Sequence, residues 1–198
     1  MGKLKIIYLT LLNRKEKILK KEDVIRLIEE YNKKFNQVSV KNALWYLSRQ
    51  NYLKRIFLDY YYINSIEERE RDVCHLEDKE RLFAVLNTEK IKWYLGLTSA
   101  LYELGETWQV PNRLTIINTK LSGERKIAGM KIKFIKIKDN LIFGLLSNKT
   151  KNGFSYFYSN VEKTRLDFAY LERSINLIKN KKTKEYLKNY PLWLQKLI

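Results

Sequence analysis

Apolar residues at three- and four-residue spacing open the chain. Leu4, Ile7, Tyr8 and Leu11 form one stripe, and Val24, Leu27, Ile28 and Tyr31 form a second. Each predicts a short helix with one inward face, with Asp23 at the cap or in the first turn of the second. A third helix is predicted from Ser39, a good N-cap residue, with Val40, Ala43, Leu44 and Leu47 on its inner side. Its opposite side presents Lys41, Asn42, Trp45, Tyr46 and Arg49. The pattern then turns β-prone over Tyr52–Phe57 and Tyr60–Ile63. Phe57-Leu58-Asp59 lacks the glycine that a tight two-residue hairpin favours, which predicts a short, irregular or widened tip.

Further along, Leu76 to Leu104 reads as two helices. The first carries Leu82, Phe83, Val85 and Leu86, and the second carries Trp93, Leu97, Ala100, Leu101 and Leu104, with Gly105 as C-terminal cap. Strands are predicted over Leu114–Asn118, Met130–Lys138, Leu141–Leu146 and Phe154–Ser159. Within Lys131–Lys138 the alternation is broken, because Ile135 and Ile137 share the parity of Lys131 and Lys133. Either a bulge or cover on both faces accounts for that. A helix follows, for which Ser159 and Glu162 match a capping box and Leu166, Tyr170, Leu171 and Ile175 face a core. Tyr186, Leu187, Tyr190, Trp193, Leu194 and Leu197 mark a C-terminal helix interrupted at Pro191.

Three helices and a hairpin are the order of a winged helix-turn-helix, expected over residues 1–64. An α+β domain with a C-terminal helical region is expected over 65–198. The boundary follows charge. Residues 1–64 hold 14 basic and 6 acidic side chains, 65–108 hold 6 and 10, and 109–198 hold 19 and 6, within a total of +17. Such an excess exceeds what solubility needs and points to a polyanion. Lys, Asn, Trp, Tyr and Arg on one helix face suit phosphates and base edges in a major groove of double-stranded DNA. The expected DNA-binding residues are therefore Ser39, Lys41, Asn42, Trp45, Tyr46 and Arg49 on the helix, with Lys54 and Arg55 reaching backbone from the wing. RNA is the second candidate partner, since the larger excess lies beyond residue 64. The absence of a long apolar run or a cleavable leader pattern predicts a cytoplasmic protein with no membrane partner.

The segment Ser39–Ile63, with its Tyr52-Leu53-Lys54-Arg55 strand, resembles the helix-then-wing part of winged-helix regulators. Three further stretches extend the likeness: Tyr94-Leu95-Gly96-Leu97-Thr98-Ser99-Ala100-Leu101 followed by Leu104-Gly105, then Leu114–Thr119, then Val161–Asp167. In order and spacing these resemble the AbiEi antitoxin family of abortive-infection toxin–antitoxin operons. The resemblance implies repression of the protein's own promoter through repeats bound by the winged helix. It also implies an antitoxin domain that counteracts a nucleotidyltransferase-like toxin.

Catalytic constellations are not evident, and no enzyme is expected. Cys74-His75 lacks a second Cys or His to complete a metal site, and a single cysteine allows no internal disulfide. Glu162 and Asp167 lie five residues apart on a helix, which sets them on different sides and favours structural roles. Gly123, Gly129, Gly144 and Gly153 are isolated, none opening a phosphate-cradling loop, so no cofactor is expected. Tyr156, Phe157 and Tyr158 read as strand packing. Lys181, Lys182 and Lys184 read as the solvated side of a docked helix that also offers cations to phosphate.

Overall fold

Side chains from three helices and a small sheet meet in the first part of the computed structural model, which describes residues 3–34, 39–71, 73–176 and 180–196. The fold is mixed α+β and divides into two units, residues 1–85 and 86–198. No described helix is long and apolar enough to cross a membrane.

Unit one runs α1 (Lys3–Leu12), β1 (Ile18–Lys20), α2 (Lys21–Lys34), α3 (Val40–Arg49), β2 (Leu53–Arg55), β3 (Tyr60–Ile63), α4 (Ile66–Glu70) and α5 (Asp78–Thr88), with the division between the units falling inside α5. Helix α2 carries Glu22 and Asp23 in its first turn and Lys33 and Lys34 in its last, matching its dipole at both ends. The inward stripes close into one core in which Ile7, Leu11, Val24, Ile28, Ala43 and Leu47 are buried with Leu53 and Ile63. The sheet order is β1-β3-β2, antiparallel throughout, with Ile18 opposite Tyr62 and Leu53 opposite Ile63. Strand β1 is only three residues long, too short to register as a pattern in the sequence.

The β2–β3 tip is tight rather than widened. Ile56 N–H donates to the Tyr60 carbonyl at 2.8 Å and Tyr60 N–H to the Phe57 carbonyl at 3.0 Å. Leu58 and Asp59 both take left-handed φ, +50° and +59°. Asp enters this region readily and Leu only at a cost, so the turn adopts glycine-type geometry without glycine. The Arg55 guanidinium holds Asp59 at 2.6 Å and pins the tip from the side.

The polar stretch beginning at Ser65 is a capped helix docked on unit one, and the division between units falls after residue 85 instead of after residue 64. Ser65 and Glu68 form a full capping box, with Glu68 N–H donating to Ser65 Oγ at 3.1 Å and Ser65 N–H to Glu68 Oε2 at 2.7 Å. The Tyr62 hydroxyl and His75 N–H each donate to Glu68 Oε1 at 2.8 Å. Beside them the Arg69 guanidinium lies 3.9 Å from the Tyr52 ring centre, and Tyr52 stacks on Tyr8 at 4.2 Å.

Unit two holds β4 (Trp93–Leu95), α6 (Thr98–Glu103), β5 (Leu114–Asn118), β6 (Gly123–Ile127), β7 (Met130–Lys136), β8 (Leu145–Lys149), β9 (Ser155–Ser159), α7 (Val161–Glu172), α8 (Lys181–Leu187) and α9 (Leu192–Gln195). Its six-stranded mixed sheet has the order β6-β7-β5-β4-β9-β8. Trp93–Leu95, expected to be helical, is a central strand paired with β5 and β9. All three of its residues are buried, so it shows no alternation to distinguish it from a helix turn. Gly105 follows α6 with φ +72°, as a helix-ending glycine should.

Four further expectations are corrected or resolved. Leu141 ends a single 3-10 turn at Asp139–Leu141, and the strand starts only at Leu145. The β5–β7 register runs without a break from Leu114/Ile132 to Asn118/Lys136, so cover on both faces explains the parity of Ile135, which packs on the core of the unit. The cap of α7 is Asn160, whose Oδ1 accepts Lys163 N–H at 2.9 Å, while Ser159 ends β9 with its hydroxyl 2.6 Å from that of Thr164. The C-terminal helix is two short helices parted at Pro191, and Leu197 lies outside the described residues.

Burial alone would raise the Glu68 carboxyl. The N–H groups of Ser65 and His75 and the hydroxyls of Tyr62 and Ser65 outweigh burial and hold it below its ordinary value of 4.5. Its stabilising contribution is present above pH 4.5 and is lost as pH falls through the lower folded value. Glu68→Gln turns an amide N–H₂ toward existing donors and should cost about 2 kcal/mol in urea unfolding at neutral pH, with a smaller penalty in acid. A penalty independent of pH would show that the charge does not matter.

Candidate nucleic-acid interface

Because Ala43 and Leu47 are fully buried, the 3.6-residue period turns Lys41, Asn42, Trp45, Tyr46 and Arg49 outward, and all five are exposed. Trp45 is 58% exposed and Tyr46 37%, values at which a large aromatic ring leaves much apolar surface in water. The Arg49 guanidinium carbon lies 4.9 Å from the Trp45 ring centre, one turn along the same face. That contact restricts both side chains before any partner arrives. Ser39 occupies the N-cap position and is exposed, but its side chain makes no capping bond, contrary to its expected capping role.

Lys54 and Arg55 are exposed on β2 and each faces a carboxylate: Lys54 Nζ is 3.9 Å from Asp78 and Arg55 is paired with Asp59. Exposed pairs of this kind contribute little, so an incoming phosphate can replace either carboxylate. The stretch from Lys33 to Leu58 contains Lys33, Lys34, Lys41, Arg49, Lys54 and Arg55 and no carboxylate at all. The structure thus gathers the expected helix residues on one face and sets the two β2 cations on the strand that follows it. A groove lined by Ser48, Asn51, Lys54, Arg55 and Asn64 runs between the end of α3 and β2.

Cys74 and His75 do not converge on a common atom. Cys74 Sγ receives Arg81 Nη1 at 2.6 Å, while His75 N–H bonds Glu68. No group of three or more His, Cys, Asp or Glu able to hold a metal occurs among the described residues. Tyr156 is buried and donates to Glu103 at 2.7 Å, but Phe157 is 38% exposed, which departs from the expected packing of the whole run. Lys181, Lys182 and Lys184 are exposed on α8, with Lys182 3.4 Å from Glu162. Lys179 lies outside the described residues.

Sequence reasoning missed a buried charge in unit two. Lys163 and Asp167, one turn apart on α7, form a fully buried ion pair. Lys163 Nζ also donates to the hydroxyls of Tyr94 at 2.9 Å and Tyr190 at 2.7 Å, and these hydroxyls donate to Asp167 at 2.8 and 2.7 Å. All three ammonium protons therefore have acceptors. Burial lowers the Lys163 pKa against the pull of Asp167, and burial together with Asp167 raises those of Tyr94 and Tyr190. The Lys-x-x-x-Asp spacing was the available signal. Nothing local marked Tyr94 or Tyr190. Gly96 adjoins this network, and a Cβ there would stand 2.3 Å from Ile117 Cδ1, so a side chain at this position would displace Ile117.

No family model matches the chain, and no curated protein matches it. Among solved structures it is similar to the RV2827C protein from Mycobacterium tuberculosis, with a TM-score of 0.62 over 98% of this chain and 76% of that one at 13% identity. At that identity the likeness is one of fold.

Lys163→Met and Asp167→Leu should each cost about 3–5 kcal/mol, since each strands a buried charge. The double variant should recover about 2 kcal/mol relative to the sum. Additive losses in urea titrations would remove the pair as the anchor of unit two.

Proposed function

We propose that unit one is a winged helix that binds double-stranded DNA, with α3 in the major groove and the β2–β3 hairpin as its wing. The observation that carries this reading is the exposed face of α3. Cation, amide and aromatic groups project together from a rigid element, in a stretch of chain free of carboxylates. The order of helices and strands in unit one and the tight β2–β3 tip support the wing. Lys41 and the exposed start of α3 at Ser39 serve phosphates, Asn42 and Arg49 read base edges, and Trp45 and Tyr46 supply apolar contact. Lys54 and Arg55 exchange Asp78 and Asp59 for backbone phosphates.

In this reading the protein is a cytoplasmic transcriptional repressor. The resemblance of Tyr94–Leu101, Leu114–Thr119 and Val161–Asp167 to AbiEi antitoxins extends the proposal to antitoxin activity, with unit two counteracting a nucleotidyltransferase-like toxin from the same operon. No catalytic role is assigned to any residue.

Gel-shift titration with the promoter of the protein's own operon should show site-selective binding that weakens steeply with salt. Arg49→Ala and Asn42→Ala should each weaken it by about 1–3 kcal/mol, or about 5- to 150-fold, and relax selectivity. Equal affinity for random duplex would defeat the repressor reading, and unchanged binding by both variants would take α3 out of the interface.

A further inference from the structure

Unit two carries a second cationic surface, on an edge of its sheet. Strands β6 and β7 form a hairpin turned by Ala128 and Gly129, whose φ values are +49° and +86°. Its register sets Lys126 directly opposite Lys131 and Glu124 opposite Lys133, and these four side chains share one face. Like charges directly opposite destabilise a ladder. The nearby carboxylates do not relieve the pair, because Glu124 is held by Arg113 at 2.7 Å and Glu172 by Lys133 at 3.4 Å. Neither Lys126 nor Lys131 has an ion-pair partner among the described residues. Lysine on an edge strand guards against unwanted pairing, but one lysine achieves that and gives no reason to oppose two.

Two grooves meet at Arg113 and Asn112: one is lined by Lys126 and Lys131 with Glu124, the other by the loop between α6 and β5 with Glu172. There Trp108 is 88% exposed, more than any other large hydrophobic residue described. A ring left so far in water, in the groove adjoining the one that holds the lysine pair, combines the two elements that hold unpaired nucleotides: a stacking platform and phosphate contacts. A duplex keeps its base faces covered, and the carboxylates of an acidic polypeptide supply charge without a ring to stack.

We propose that these adjoining grooves bind single-stranded nucleic acid, with Trp108 stacking on a base and Lys126 and Lys131 on phosphates. This site is separate from α3 and does not depend on the duplex reading of unit one.

The test uses the full chain, fluorescein-labelled twelve-nucleotide oligo(U) and oligo(dT), and the labelled promoter duplex, followed by anisotropy over a salt series. Wild type should bind at least one oligonucleotide, and preference for oligo(U) or oligo(dT) assigns RNA or DNA as the source. Lys126→Glu/Lys131→Glu should weaken that binding about tenfold or more and reduce the salt slope by about 1.4, from about 0.7 per phosphate contact. Trp108→Ala should weaken it about tenfold while Trp108→Phe retains most of it. Neither change should alter duplex binding, and Arg49→Ala should do the converse, so failure of one site is read separately from failure of the other. The proposal is overturned if wild type binds neither oligonucleotide, or if the lysine and Trp108→Ala variants both bind like wild type. It is also overturned if polyglutamate of equal charge displaces the oligonucleotide as well as unlabelled oligonucleotide does, which would assign the grooves to an acidic polypeptide.

Discussion

Glu68 and Asp167 are carboxylates taken out of water, and the arrangement around each follows from the need to satisfy its oxygens there. In unit one this requirement brings the start of α4, the Tyr62 hydroxyl at the end of the sheet and the backbone of His75 to one side chain. In unit two it brings β4, α7 and the segment after α8 together, through Tyr94, Lys163 and Tyr190. Apolar burial supplies the bulk of both cores, but it is indifferent to which polar groups meet. The carboxylates make that choice. A buried charge without its partners is too costly for alternative packings to compete.

The same placement shapes the outer surface. The chain has 22 acidic residues against 39 Lys and Arg, and Glu68, Glu80 and Asp167 are among those withdrawn from solvent. Other carboxylates are already committed to a neighbouring cation, as Asp59 is to Arg55 and Glu124 to Arg113. Among the surfaces left with uncompensated charge are the outer face of α3 in unit one and the Lys126–Lys131 pair in unit two. Net charge alone predicted attraction to a polyanion. The structure distinguishes a helix face ordered by an Arg–Trp contact from a hairpin on which two lysines stand opposite each other, two different shapes of positive surface.

Amphipathic helices were the most legible elements, because burial of Val24, Leu27, Ile28 and Tyr31 leaves a period that few other structures share. The exposed set on α3 followed by subtraction, since fixing Ala43 and Leu47 inward fixes Arg49 outward. Trp93–Leu95 misled for the opposite reason: a central strand is apolar on both faces and its period vanishes. The tip at Leu58-Asp59 stays open between short, irregular and widened in the sequence because no glycine marks it; hydrogen bonds and the Arg55 pair hold two other residues in left-handed geometry. Ser159 was one residue from the true cap at Asn160. The Lys163 network was invisible as a whole because its members are separated by up to 96 positions, from Tyr94 to Tyr190, and only the one-turn pair is local. The stretches Tyr94–Leu101 and Val161–Asp167 hold Tyr94, Gly96, Lys163 and Asp167, all of which serve the interior of unit two.

Tyr190 gives this network a consequence in time. On a ribosome the chain lengthens from its beginning, and domains form as their residues become available. Unit one has every partner of Glu68 once His75 has emerged. Lys163 and Asp167 lack the Tyr190 hydroxyl until residue 190 has been made. The partners of Glu68 are therefore all available before those of Lys163 and Asp167, and the interior of unit two can close over its charge pair only once residue 190 has been made.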